Sequence, residues 1–309
     1  MSTSPALAAE TVDEDGILQT LEAVSAEEGI FDDLATSEGH RAVVPTDPSE
    51  SVGLVSTRGP DLEISLPFSE DAANAVELVD AVRAYDNGNG STTVPVSKSD
   101  GSVQITTVIE DSTAPTSYRY EIGSAEGSKL RLFKEGGVLI ESTDGEYLGG
   151  VAAPWAYDAN GIAVDTWYEV EGSTLVQVVA HDAGPYTYPI VADPWIGINL
   201  FAYVKANRFE NGQPIVDLQP SVWGMAQWGT PQGQVIMETA GWTEAVTWSS
   251  ATRSALEGKQ SMRDQFVCHA YGSPFAGEWN LERWRLNRTV HWSIGVGVHH
   301  CNWKTANGV

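Results

Sequence analysis

The stretch TWYEVEGSTLVQVVA, residues 166–180, reads as two short β-strands, 166–170 and 174–180, folded back on each other at Glu171-Gly172. Val, Thr, Tyr and Trp dominate both halves and suit a pleated surface, while glycine supplies the positive φ that a tight hairpin needs. The same pattern repeats upstream at residues 92–96, 103–110, 117–122, 129–133 and 138–142, separated by the turn signals KSDG (98–101), EGG (135–137) and DANG (158–161). Successive short strands joined by such turns predict a mainly β chain with minor α, its N-terminal module an antiparallel β-sandwich or barrel.

Before the strands the pattern changes. Leu62, Ile64, Leu66 and Phe68 alternate with polar residues, which is strand periodicity. Ser69 followed by Glu70-Asp71, then Val76, Leu78, Val79 and Val82, predicts one helix that DNGNG (86–90) stops. Residues 10–58 are rich in acidic and hydroxyl residues and read as a leader or linker, with a short helix over 17–28 that Gly29 ends. Residues 1–9 finish in Ala-Leu-Ala-Ala and meet an acidic run at Glu10, the pattern of the cleavage end of a secretory signal. The expected division is a signal remnant (1–9), a leader (10–58), an acidic β-rich module (59–196) and a C-terminal domain (197–309). Residues 10–58 and 194–222 show no periodic strand, so proteases are expected to cut in the first and more weakly in the second, and the C-terminal fragment to fold alone.

Charge supports that division. The net charge is −25; residues 1–196 carry 8 Lys and Arg against 34 Asp and Glu, whereas residues 197–309 carry 9 against 8. Such an acidic coat repels nucleic acid and anionic membrane surfaces, and no apolar run is long enough for a membrane span. G-x-S-x-G, HExxH and Walker A patterns are absent, so the chain leans away from an enzyme and no cofactor is expected.

Two resemblances follow from motifs. PWAYDANG (154–161), the 168–181 strand region and YPIVADPW (188–195) resemble a portable β module near the front of many actinobacterial exported proteins. DQFVCH (264–269), WNLERWR (279–285) and Cys301-Asn302 are similar to a domain of unknown function that closes many bacterial secreted proteins; Trp303 is bulkier than that pattern leads one to expect. The resemblances imply secretion and two parts, and no reaction.

Candidate chemistry lies in the C-terminal part. Cys268 and Cys301, with 32 residues between them, read as a disulfide in an exported protein. The competing reading is a metal site using Cys268, His269, His299, His300 and Cys301, although its spacing lacks C-x₂-C or H-x₃-H. Ser261 with Asp264 predicts a capped helix bearing Met262, Phe266 and Ala270 on one face. Residues 290–301 alternate as a strand, with Val290, Trp292, Ile294, Val296 and Val298 on one side and His291, His299 and Cys301 on the other. A weak acid–base site would combine His269, His291 or His299 with Asp264. His181 beside Asp182 reads as structural, and Glu278 with Glu282 as a solvated pair. Eight of the eleven tryptophans fall in this part; they form a core or a stacking surface, with Trp279, Trp284 and Trp292 the ligand-stacking candidates.

Three functions remain open at this level. One is an extracellular binding or effector domain behind an acidic carrier, action on other bacteria included, with an extracellular or cell-envelope ligand as partner. The others are a secreted hydrolase using the histidine face of the last strand, and a structural envelope protein.

Overall fold

The computed structural model describes residues 13–35, 42–56, 59–79, 82–272 and 277–307. The signal remnant expected at residues 1–9 lies outside the described residues. Strands Thr166–Glu171 and Thr174–Val179 form the hairpin read from the sequence, with Gly172 at φ +68° in its turn. The second of these strands pairs with Ser117–Gly123, which continues through Leu62–Ile64 to Val52–Leu54, giving a five-stranded antiparallel sheet. Along Ser117–Gly123 burial alternates, so Tyr118, Tyr120 and Ile122 point inward. They meet Ile105, Ile109, Ile140 and Ile196 of a ten-stranded sheet in one core. The module is therefore a sandwich.

Strands Ser91–Ser97 and Val103–Ile109 are buried along their whole length, which requires a cover on both faces. The second cover is the helix Glu14–Glu28, capped by the Asp13 side chain and ended by Gly29 in the left-handed conformation. Its Ile17, Leu21 and Val24 pack, with Ile30, on Val94, Val96, Val108 and Val191. Lys98, buried beneath, donates from Nζ to the carbonyls of Gly29 (2.7 Å), Ile30 (2.6 Å) and Asp32 (3.0 Å). Burial pulls the Lys98 ammonium down to about 8, opposed by Asp32, Asp33, Asp100 and Asp193. Residues 13–35, expected to be leader, are thus packed on the module.

The helix expected after Ser69 does not form. Residues 76–79 and 82–86 are paired strands in which Val76 faces Ala84 and Val79 faces Val82. Valines three apart fit a helical face, but β-branched side chains beside an open sheet edge are taken up by pairing. Residues 194–222, expected to lack periodic strands, are also ordered. Pro194 separates Ile190–Asp193 from Trp195–Gly197, the latter inserted between Val103–Ile109 and Tyr147–Val151. Phe201–Glu210 and Gln213–Pro220 then form a long hairpin, joined by Trp279–Glu282 into a three-stranded antiparallel sheet.

Among the described residues, five α-helices and a π-helical turn, Met237–Gly241, follow that hairpin before the third strand. Helix Gln260–Gly272 begins one residue before Ser261, whose hydroxyl donates to the Arg285 carbonyl rather than capping. Met262, Phe266 and Ala270 are buried as expected, against Phe201, Val216, Leu218, Trp279 and Leu281 from one face of the sheet. The C-terminal part is a small α+β domain.

Module and domain share a packed junction. The Trp223 indole, on helix Val222–Trp228, lies against Gly197 and Gly150, with Trp195 edge-on at 5.7 Å between centroids. A Cβ at Gly197 would sit 2.4 Å from that ring, so only glycine admits it. Trp223 Nε1 donates to the Tyr147 hydroxyl (3.1 Å) and its backbone N–H to Asp100 (2.6 Å). Among the described residues no helix is long and apolar enough to cross a membrane.

Candidate functional site

Cys268 and Cys301 form a disulfide, Cα–Cα 5.4 Å, joining helix Gln260–Gly272 to the end of the chain. The alternative metal set loses both thiolates to this bridge. Residues 290–301 are not a strand: Gly295 (φ +79°), a single turn Val296–His299, and left-handed His300 and Cys301 make a looped segment. Alternation alone does not make a strand. Here no sheet edge takes the segment, and Ile294 and Val298 stay exposed.

That change separates the histidines. His299 is buried and spent on backbone: Nδ1 accepts from the Cys301 N–H (3.0 Å) and Nε2 donates to the Ile294 carbonyl (3.1 Å). His291 is exposed, bonded to Ser293 Oγ (2.8 Å) with its ring against Trp292. Of the expected acid–base set the structure brings together Asp264 and His291. Asp264 is held above the ordinary carboxylate range by burial, opposed by a hydrogen bond from Gln260 and by the charges of Arg288, His291 and Arg263. The hydrolase reading loses its strand face and two of its three histidines. His181 is structural: Nε2 donates to the Pro115 carbonyl (3.2 Å) and Nδ1 accepts from the Tyr188 hydroxyl (2.9 Å).

His269 is the third. It is buried, stacked on Trp279 (5.3 Å, 13° between planes), and neither ring nitrogen has a hydrogen-bond partner among the described residues. Burial drives its pKa down to about 4. The unfolded chain therefore binds the extra proton first, near pH 6.5, and stability falls with pH between about 6.5 and 4. That interval is worth about 3 kcal/mol. Urea unfolding of the parent and of His269→Leu from pH 7 to pH 4 is expected to show the parent losing that much more; identical acid limbs would refute it.

The stacking candidates are corrected in the same way. Trp279 is core, its ring enclosed by His269, Phe201 (5.6 Å) and Phe266 (5.4 Å). Trp284 is half-buried under the Arg285 guanidinium at 4.3 Å, and Trp292 is half-buried beside Tyr271 at 6.1 Å. No indole of the three presents two free faces.

Of the polar sheet face, the sequence showed only Glu278 and Glu282, as a solvated pair. With Trp279 and Leu281 turned inward, Glu278, Asn280 and Glu282 lie on the sheet face opposite the helices. Across that face Arg208 grips Asp217 bidentately (Nε to Oδ2 2.6 Å, Nη2 to Oδ1). Asn280 Nδ2 donates to Asp217 Oδ1 and to Glu278 Oε1, both at 2.9 Å, and the Tyr203 hydroxyl donates to Glu278 Oε2. The Glu278 hydrogen bond raises the Tyr203 phenol, burial and the nearby acids adding to it. Lys205 Nζ stands 3.9 Å over the Tyr203 ring. Five side chains, four from three strands and Glu278 from the residue before the last of them, thus form one chain of alternating donors and acceptors.

Residues 211–302 match the family described as a protein of unknown function, DUF2599. No curated protein matches the chain. The matched residues hold the bridge, the helices of the C-terminal domain and strands Gln213–Pro220 and Trp279–Glu282, with Asp217, Glu278 and Asn280. Strand Phe201–Glu210, with Tyr203 and Arg208, precedes them and completes the face.

A cleft of about 480 Å³ lies where module meets domain, lined by Arg131, Glu141, Tyr147, Ile198, Thr239 and Glu244 among others. Three of its charged side chains are committed to structure. Arg131 pairs with Glu141 (2.9 Å), and Glu244 accepts the Leu200 and Phe201 N–H groups at 2.9 and 3.0 Å.

Proposed function

We propose that the protein is exported and acts by binding, its C-terminal domain taking a hydroxyl-rich ligand such as an envelope glycan on the polar sheet face while the acidic module carries it. The chain Arg208–Asp217–Asn280–Glu278–Tyr203 supports this reading. Sugar hydroxyls donate and accept at once, and a surface that alternates guanidinium, carboxylate, amide and phenol offers both in register. The disulfide fits an oxidising compartment. The module is a carrier in this reading because Trp223 locks it to the domain, and a mask meant to be shed would not share a core.

Full-length protein titrated with soluble peptidoglycan fragments and neutral oligosaccharides is expected to bind one class saturably. Tyr203→Phe, which removes only a hydroxyl at the rim, is expected to weaken that binding about tenfold, as a single well-placed contact does, without lowering the melting temperature. Absence of binding to every glycan, or equal binding by the variant, would refute the proposal.

A further inference from the structure

The cleft where module meets domain has an apolar floor, supplied by the buried side chains Leu139, Leu148, Ile198 and Ile236. One wall is helical. Thr239, Thr243 and Thr247 recur at every fourth residue through the turn Met237–Gly241 and helix Trp242–Thr247, and all three line the cleft. Their hydroxyls donate backwards, Thr239 to the Val235 carbonyl (2.8 Å), Thr243 to that of Thr239 (3.3 Å) and Thr247 to that of Thr243 (2.7 Å). With the hydrogens spent in this way, each threonine oxygen is left as an acceptor.

The rim of the cleft is acidic. Arg131 is the one cation among its described lining residues, and Glu141 holds that guanidinium through Nε (3.2 Å) and Nη2 (2.9 Å). Glu126 and Glu146 stand exposed at the same cleft, and among the described residues neither carboxylate has a hydrogen bond or an ion pair. The turns that carry them are neighbours, tied by Lys129 Nζ donating to the Thr143 carbonyl at 2.8 Å. Two unmatched carboxylates and a file of acceptor oxygens therefore surround an apolar floor.

We propose that this cleft binds a small aliphatic polyamine. Its methylene stem covers the apolar floor, while its ammonium N–H groups donate to Glu126, Glu146 and the threonine oxygens. The lining selects this class. A bare metal ion would leave the floor in water, a neutral sugar would leave the carboxylates unmatched, and an anion would be repelled by them. The volume of about 480 Å³ is that of a small-ligand pocket, and junctions between folded units are where such pockets form. Trp223 fixes this junction and bonds Tyr147, a lining residue, so the two walls meet in one arrangement. None of the described lining residues belongs to the sheet face of Tyr203, Arg208 and Glu278, so the proposal does not rest on the glycan reading.

An acidic coat attracts any cation, so the test compares equal losses of charge in two places. Calorimetric titration of the full-length protein with spermidine at about 150 mM salt is expected to show saturable one-site binding. Hexanediol, a neutral stem, is expected to bind about tenfold more weakly or less. Glu126→Gln/Glu146→Gln is expected to weaken spermidine binding about tenfold with an unchanged melting temperature. Thr243→Val, which keeps the side chain's volume and removes its acceptor, is expected to weaken it several-fold. Glu63→Gln/Glu77→Gln, which removes two exposed charges outside the cleft, is expected to bind like the parent. Equal weakening by the two double variants marks a diffuse counter-ion effect and would overturn the proposal. So would absence of spermidine binding, a diol that binds as well, or either cleft variant binding like the parent. No glycan enters the readout, so failure of the glycan reading leaves the outcome unaffected.

Discussion

Replacing Trp223 by Ala is expected to destabilise the whole protein by about 3–5 kcal/mol, the range for removing a buried aromatic side chain. The indole is fully buried and touches both parts: Gly150, Gly197 and Trp195 from the module, and its own helix in the domain. Its loss leaves a cavity that two glycines cannot fill. It also strips the Tyr147 hydroxyl of its donor in a site where burial already raises the phenol. Calorimetry of the full chain is expected to show melting about 10 °C lower. The single transition is also expected to separate into module and domain components, because the residue that couples them is gone. A variant melting within about 2 °C of the parent, still as one transition, would show that the junction is carried elsewhere. The same packing revises the expectation that residues 197–309 fold alone, since such a fragment exposes Trp223 and lacks Leu139, which belongs to the domain's core.

Breaking the disulfide is the second large effect. The bridge closes a sequence separation of 33 residues, worth about 3–4 kcal/mol in the chain-entropy model. That loop contains strand Trp279–Glu282 and the segment bearing Arg288 and His299. Reduction, or Cys268→Ser/Cys301→Ser, is therefore expected to lower hydrogen-exchange protection first in helix Gln260–Gly272 and the last strand, while strands Ser91–Ser97 and Val103–Ile109 keep theirs. The variant is expected to be indifferent to reductant and a chelator to have no effect. Uniform loss of protection across the module, or stability unchanged by reduction, would contradict this.

The hairpin at residues 166–180, the strands at 92–96, 103–110, 117–122, 129–133 and 138–142, and the helix bearing Phe266 were legible because each is a local pattern with a local stop. The polar sheet face was half legible. Alternation in Glu278-Trp-Asn-Leu-Glu282 says that Trp279 and Leu281 turn one way and the polar residues the other. It does not say that Asp217, 63 residues from Asn280, and Arg208 stand beside them. The failures have a common cause. Residues 76–82 carry helical spacing and residues 290–301 carry strand spacing, yet the first became a paired hairpin and the second a loop.

Composition and pattern alone determined the acidic front, the near-neutral back and the β class of the module, since charge count and hydrophobic period act without knowledge of distant neighbours. Tertiary structure decided which residues are free to act. It buried Trp279 and His269, exposed Ile294 and Val298, and joined five polar side chains across one sheet face. Burial and pairing depend on which edges and faces remain open when the chain closes, and that is a property of the whole fold.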